Sequence, residues 1–443
     1  MKYKAYPEYK DSGVEWMGEI PTGWETKKFK HIFQLSDEKN GVNPIGQMLS
    51  VSGYRGIEIK EYDDEGKKRK PEELVDYRIV REGQLVVNTM WLNYSGLGVS
   101  EYEGYVSPAY RAYNFIRDMN KRYIHHLMRS EIYVIAYTSQ MQGIRPNSLQ
   151  MKTDDFQSLP ILIPSMYEQQ YIANFLDHET TKIDQLIAKQ EKLIELLKEK
   201  RQAVISHAVT KGLNPEVKMK DSGVEWLGDV PEHWGISRIG WLCKVGNGST
   251  PNRDNFSYWD GGDYPWLNSS KVNDDIVVDA DQFVTKKALL ECSLPLVKKG
   301  SVIIAITGEG KTRGTSAFMT IDATINQHIA YITPLSEGKI SPKYLHVWLQ
   351  SKYQEIRFES SAGGSTKAAI TCSQVKQYYV PMPPLKEQLA IVGVIEDKNY
   401  RFNELTVSCE RQISLLKERR SALISAAVTG KIDVRDWQPK DIA

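Results

Sequence analysis

The chain has 443 residues, 41% of them hydrophobic, enough to bury more than one core. At roughly 100–200 residues per domain that length points to two or three domains. A formal net charge of +1, from 57 basic and 56 acidic residues, argues against an indiscriminate polyanion binder but leaves room for local basic surfaces.

In chain order, Met1 to Pro7 lack the apolar core of a signal peptide, and no apolar run reaches membrane-spanning length. A cytoplasmic protein is therefore expected. The segment Lys10-Asp11-Ser12-Gly13-Val14-Glu15-Trp16 follows, and it returns as Lys220-Asp221-Ser222-Gly223-Val224-Glu225-Trp226, an offset of 221 − 11 = 210. Trp24 returns as Trp234 at the same offset. Val80 to Val87 places a turn glycine, Gly83, ahead of a β-rich run, and Tyr123 to Leu127 reads as a short helix. Between these lie loops rich in side chains suited to nucleic acid. Ser52, Tyr54 and Arg55 form one group, and Trp91, Asn93 and Tyr94 a second. Tyr110 with Arg111, and Arg145 with Asn147, complete the set. Arginine and asparagine carry the paired donors and acceptors that base edges require, while hydroxyls suit phosphate.

A helix is predicted next. Ile183, Leu186, Gln190, Leu193, Leu197, Arg201, Val204 and Ala208 follow three-four spacing, and Gly212 with Asn214-Pro215 ends the run. The second half repeats the plan. Val297 to Ile304 again place a glycine before a β-rich run, and Tyr344 to Trp348 again read as a short helix. Its candidate loops hold Asn268, Ser269, Ser270 and Lys271; Thr307, Glu309, Lys311 and Arg313; Asn326, Gln327 and His328; and Thr366 with Lys367. The second helical stripe is Phe402, Leu405, Cys409, Ile413, Leu416, Arg420, Leu423 and Ala427, ending at Thr429-Gly430. Glu168-Gln169 returns as Glu387-Gln388, an offset of 387 − 168 = 219, too long for a solenoid unit.

The doubling predicts two similar scaffolds carrying different loops, hence two readers of different ligands. Both apolar stripes are narrow, with Gln190, Arg201 and Arg420 inside them, which predicts that the helices pack on each other antiparallel as a coiled coil. If the second helix ends near the N-terminus, the copies close into a pseudosymmetric ring with equivalent docking surfaces for two identical partners.

Catalytic chemistry is not apparent. Ala305 to Thr312 nearly matches a phosphate-binding loop, but its first position is alanine and Arg313-Gly314-Thr315-Ser316 does not open a helix. We expect a loop between strands; the enzyme alternative is an ATPase using Lys311. Glu65-Gly66-Lys67 lies in a basic loop rather than on a nuclease strand, and His125-His126 would point about 100° apart on a helix. The cysteines Cys243, Cys292, Cys372 and Cys409 form no CxxC pair, so no disulfide, zinc or other metal site is expected.

The paired segments Gly18 to Trp24 and Gly228 to Trp234, each Gly-x-x-Pro-x-x-Trp, resemble the openings of the reader domains in specificity subunits of type I restriction-modification enzymes. Gly248-Ser249-Thr250-Pro251, Tyr264-Pro265-Trp266-Leu267, and Pro383-Pro384-Leu385-Lys386-Glu387-Gln388 resemble further elements of that family. The first half has Ser165-Met166 in place of Pro384-Leu385 and lacks the Gly-x-Thr-Pro and Pro-Trp-Leu elements.

The resemblance implies an α+β fold with two pseudosymmetric target-recognition domains joined by two long antiparallel helices. The expected boundaries are residues 1–164 for the first domain, 165–212 for a spacer helix and 213–383 for the second domain. A second spacer helix then takes 384–430 and a tail 431–443. It implies a non-catalytic chain that reads a split, asymmetric site on double-stranded DNA. Two methyltransferase and two restriction subunits would be its partners, and those partners, not this chain, would use S-adenosylmethionine, ATP and magnesium to methylate adenine at N6 or to cut. The variant reading is a specificity subunit of a methyltransferase-only system. The predicted spacer and partner positions are Ile183, Leu186, Leu193, Leu197, Val204, Leu405, Ile413, Leu416 and Leu423.

Overall fold

The β-rich runs of both halves become central strands because their alternate side chains face two different cores. In the computed structural model, which describes residues 3–41, 44–62, 70–143, 149–308, 310–361 and 369–439, strand Val302–Ala305 is buried along its whole length. Val302 and Ile304 enter one hydrophobic cluster, Ile303 and Ala305 another. Strand Leu85–Asn88 behaves alike: Leu85 and Val87 face one cluster and Val86 a second. A sheet covered on both faces therefore reads as an unbroken apolar run rather than an alternating one.

The chain folds as two units, residues 1–191 with 410–443, and residues 192–409. In the first, a four-stranded sheet has the order Phe33–Leu35, Tyr110–Phe115, Leu85–Asn88, Leu97–Val99. In the second, the sheet order is Cys243–Asn247, Ile329–Pro334, Val302–Ala305, Ser316–Met319, extended by Ile276–Val277. The first four strands correspond one to one. A second sheet follows suit: Gln47–Ser52 runs parallel to Gly104–Val106, as Tyr264–Leu267 does to Thr324–Ile325. A two-stranded ribbon in each unit joins its opening to the strand before the long helix, Glu25–Lys28 with Pro160–Ile163 and Gly235–Arg238 with Tyr379–Met382. The duplication is thus a duplication of topology.

The short helices occupy Lys121–Met128 and Pro342–Ser351, each opened by a side-chain cap, Asn120 or Ser341. The repeated glutamines explain themselves here. Gln169, fully enclosed, accepts from the Asn120 backbone N–H at 2.9 Å and donates to the Pro164 carbonyl at 2.9 Å. Gln388 accepts from the Ser341 N–H at 2.7 Å and donates to Pro383 at 2.9 Å. Each ties the start of a long helix to the cap of the short one, satisfying backbone groups that would otherwise be orphaned.

The long helices run Met166–Lys211 and Leu385–Val428, 46 and 44 residues. The first opens with a reciprocal cap, Ser165 Oγ accepting from the Glu168 N–H at 3.3 Å and the Glu168 carboxylate accepting from the Ser165 N–H at 3.2 Å. Each passes from one unit into the other, so each unit holds the start of one helix and the end of the other. Pairing is antiparallel in both: Gln190 donates to Gln412 and Arg420 pairs with Asp184 in the first unit, while Arg201 donates to Asn399 and Asn403 in the second.

The seam differs in phase from the predicted stripe. Leu186 and Leu193 are exposed, while Ile187 is buried and Ile194 half-buried. Leu405 is likewise exposed and Thr406 half-buried. The first seam therefore reads Ile183, Ile187, Gln190, Ile194, Leu197, Arg201, Val204, Ala208, with strict four-three alternation. The second reads Phe402, Thr406, Cys409, Ile413, Leu416, Arg420, Leu423, Ala427. The predicted stripe chose leucines by hydrophobicity where the uniform heptad selects their neighbours.

The second helix ends against the N-terminal segment of the same unit. Gly430 takes φ +72° at the helix terminus, and the Lys431 N–H bonds back to the Ala426 carbonyl at 2.9 Å. A Cβ at Gly430 would lie 2.4 Å from Pro21, and the Tyr9 hydroxyl donates to the Gly430 carbonyl at 3.0 Å. No helix among the described residues is long and apolar enough to cross a membrane.

Candidate nucleic-acid interface

In the first unit two predicted loops form one face. The turn after strand Gln47–Ser52 carries Tyr54 and Arg55, and the 3-10 turn Leu92–Tyr94 carries Trp91, Asn93 and Tyr94. They touch at Gly53, where a Cβ would lie 2.4 Å from the Tyr94 carbonyl oxygen. Arg129, from the end of the short helix, locks both by donating to the carbonyls of Ser52, Gly53, Ser95 and Leu97. Sequence reading missed this arginine, because nothing local marks a helix-terminal arginine as a bridge between distant loops. Around the lock, Trp91 and Tyr94 stay 53% and 62% exposed, and the Arg55 side chain 78%. Exposed aromatics beside an exposed guanidinium are a stacking and hydrogen-bonding surface for bases.

Other predicted residues of this unit serve the scaffold. The Ser52 hydroxyl accepts from the N–H groups of Tyr54 and Arg55, shaping the turn. Tyr110 packs on a hydrophobic cluster, and Arg111 donates to Thr153 at 2.7 Å. Asn93 is half-buried, with an enclosed carbonyl oxygen. Arg145 and Asn147 lie outside the described residues, as do Glu309, Thr366, Lys367 and the Glu65-Gly66-Lys67 loop.

In the second unit, Thr307 and His328 meet at 2.8 Å, and Gln327 accepts from Thr250 at 2.5 Å. These four come together at the ends of neighbouring strands. Thr250 was read only as part of a motif, not as a site residue. Beside it Arg253, also missed, lies 3.8 Å over the Trp259 ring and 4.8 Å over Trp266.

Three predicted contacts are corrected. Lys271 is only 9% exposed, its ammonium ringed by Asp279 at 2.7 Å, Asp274 at 3.1 Å and Asp281 at 3.6 Å. The Asp279 hydrogen bond, foremost, raises its pKa further, so its charge is spent inside the fold. Asn326 is buried, its side chain accepting from the His328 N–H at 2.9 Å. Arg313 is buried beneath its own loop. Asn268 caps the 3-10 segment Ser269–Asp274, bonding to Ser270, while Ser269 is half-buried.

The near-match to a phosphate loop, residues 305–312, joins the antiparallel neighbours Val302–Ala305 and Ser316–Met319. The chain thus returns to a strand without the helix N-terminus that a phosphate site needs. Lys311 itself is exposed, while its carbonyl accepts from the Tyr353 hydroxyl at 2.6 Å. Arg357 donates to the Gly310 carbonyl at 2.6 Å, a second tether from the helix beginning at Tyr353.

Residues 231–412 match the family model described as the type I restriction modification DNA specificity domain. The chain is similar in sequence to type I specificity subunits. It is 23% identical over 206 residues to the EcoR124I/EcoR124II specificity subunit of Escherichia coli, covering 46% of this chain and 48% of that one. It thus spans about half the length of that curated relative. To the StySPI specificity subunit of Salmonella potsdam it is 20% identical over 447 residues, covering 96% of this chain and 92% of that relative. A chain solved in work on complex assembly and conformational transition of the type I R-M system shares the fold, with TM-score 0.69 and 15% identity over 93% of this chain and 99% of the other.

The specificity-domain match begins at Pro231, three residues before Trp234, and ends within the second long helix. The repeated tryptophans are scaffold residues. Trp24 and Trp234 are fully buried, and the Trp24 indole N–H donates to Glu168 at 3.2 Å, pinning the domain opening to the long helix.

Proposed function

We propose that this chain is the DNA sequence-specificity subunit of a type I restriction-modification complex, each unit reading one part of a bipartite asymmetric site. The observation that carries this is the pairing of matched topology with unmatched loops. Four strands of the main sheet follow the same order in both units, yet one unit presents Arg55, Trp91 and Tyr94 and the other Thr250, Gln327, His328 and Thr307. A frame kept constant while its exposed loops differ suits a task needing two different sequences read from equivalent positions.

The chemistry then belongs to partners. Two methyltransferase subunits using S-adenosylmethionine would methylate adenine at N6, and two restriction subunits using ATP and magnesium would translocate and cut, all in the cytoplasm. The target adenine must leave the base stack to react, so the reader's contribution is to hold the methyltransferase over it. Exposed Leu186, Leu193 and Leu405 lie outside the helix seam and supply apolar surface for such partners.

The test is mapping of N6-methyladenine in the host genome with and without this gene. A two-part motif should vanish on deletion and return with the gene; an unchanged map would refute the proposal.

A further inference from the structure

Tyr54 sits beside Arg55 in the loop and reaches the paired helices. Its hydroxyl donates to Asp184 Oδ1 of the first long helix at 2.6 Å, and the Arg420 guanidinium of the second lies 5.0 Å over its ring. Arg420 Nε donates to that same carboxylate oxygen at 2.9 Å. The Arg55 guanidinium pairs with the Glu58 carboxylate at 3.9 Å, and its side chain is 78% exposed.

The duplicated frame supplies an internal control. At the 219-residue offset Arg420 corresponds to Arg201 (420 − 219) and Asp184 to Asn403 (184 + 219). In the second unit Arg201 donates to Asn403 Oδ1 at 3.3 Å and to Asn399 at 2.9 Å. The helix pair thus closes around a neutral amide there, and its packing does not demand a carboxylate. What the carboxylate adds in the first unit is charge, on an oxygen that serves the Tyr54 phenol and Arg420 together.

We infer that Tyr54 is a positioning residue that moors the 52–56 loop to the paired helices through Asp184, leaving Arg55 as the group presented to DNA. The inference rests on the DNA-reading function proposed above only for the role of Arg55. A phenol-to-carboxylate hydrogen bond is charge-assisted, and it lies where Arg420 already covers the ring. Burial first, then Asp184, pushes the Tyr54 hydroxyl up to about 12, so it remains a donor across the working range of pH.

Hydrogen–deuterium exchange of the full chain tests the mooring. In Tyr54→Phe, which removes the donor, exchange in peptides spanning 52–56 should rise about fivefold, the factor that loss of one net hydrogen bond supports. Peptides from 183–190 and 412–424 should keep their rates, because the Asp184–Arg420 pair is left in place. Asp184→Asn, whose amide oxygen still accepts from the phenol but without the charge, should raise exchange at 52–56 less, and the double variant should match Tyr54→Phe. Unaltered exchange at 52–56, or equal loosening of the helices, overturns the inference. Methylation mapping in cells carrying Tyr54→Phe separates the two layers. Altered selectivity in one half of the motif supports both, whereas loosened exchange with an unaltered motif keeps the mooring and overturns Arg55 as a base contact.

Discussion

Arg55 and Lys271 look interchangeable in sequence, each a basic residue in a polar loop, and the fold assigns them opposite work. Arg55 is exposed, whereas Lys271 is enclosed by three carboxylates. Arg55→Ala is expected to weaken DNA binding by about 1–3 kcal/mol. Lys271→Ala should lower the melting temperature and leave the salt dependence of binding as it was, because no phosphate contact is lost. Titration of labelled DNA at several salt concentrations, beside thermal melts, checks both. His125 adds a pH term. Burial foremost, then Arg129 and His126, holds its pKa well below the ordinary imidazole value, while its Nδ1 accepts from the Val99 N–H at 3.3 Å. The unfolded chain takes up this proton near the ordinary pKa of about 6.5 and the folded chain resists it, so stability falls as pH drops below that value. His125→Asn, which keeps an acceptor without titrating, should flatten the decline in melting temperature between pH 7 and 5; an unflattened decline would assign it to other groups.

For the helices, the phase of the seam is what can be tested. Ile187 is 5% exposed and Leu186 47%, one residue apart on the same helix. Ile187→Ala should therefore cost about 2–5 kcal/mol, and Leu186→Ala no more than about 0.5 kcal/mol. Urea denaturation distinguishes them, and similar costs would return the seam to the predicted stripe. A matched heptad inserted into both helices keeps the four-three alternation in phase, whereas four residues rotate the seam away. The heptad variant should retain melting behaviour and methylate a motif with a changed gap between unaltered halves. The enclosed Gln169 and Gln388 mark the other fixed point, since Gln388→Ala leaves the Ser341 N–H without its 2.7 Å acceptor, at about 1–3 kcal/mol.

At the scale of the whole molecule, the repeated topology makes the units exchangeable in principle. Replacing residues 235–380 with the corresponding segment of another family member should change one half of the methylated motif and leave the other. The ribbon Gly235–Arg238 with Tyr379–Met382 brings the two ends of that segment together, so the graft has one narrow junction. A change in both halves would mean that the units do not read independently.

The sequence alone determined the duplication, the helical pair with its terminating glycines, and the strands behind Gly83 and Gly300. Repeats, periodicity and turn residues act between neighbours along the chain, so they are written in local order. The resemblance to specificity subunits was legible for the same reason, since its motifs are short contiguous runs. Tertiary structure alone decided which polar residues face outward. Lys271, Asn326 and Arg313 follow from residue type alone, yet all three are buried, and Lys271 is engaged by Asp279 and Asp281, eight and ten residues on. Arg129, Arg253 and the Tyr54–Asp184 contact escaped for the converse reason: their partners lie 6 to 130 residues away, and only folding brings them within hydrogen-bond or stacking distance.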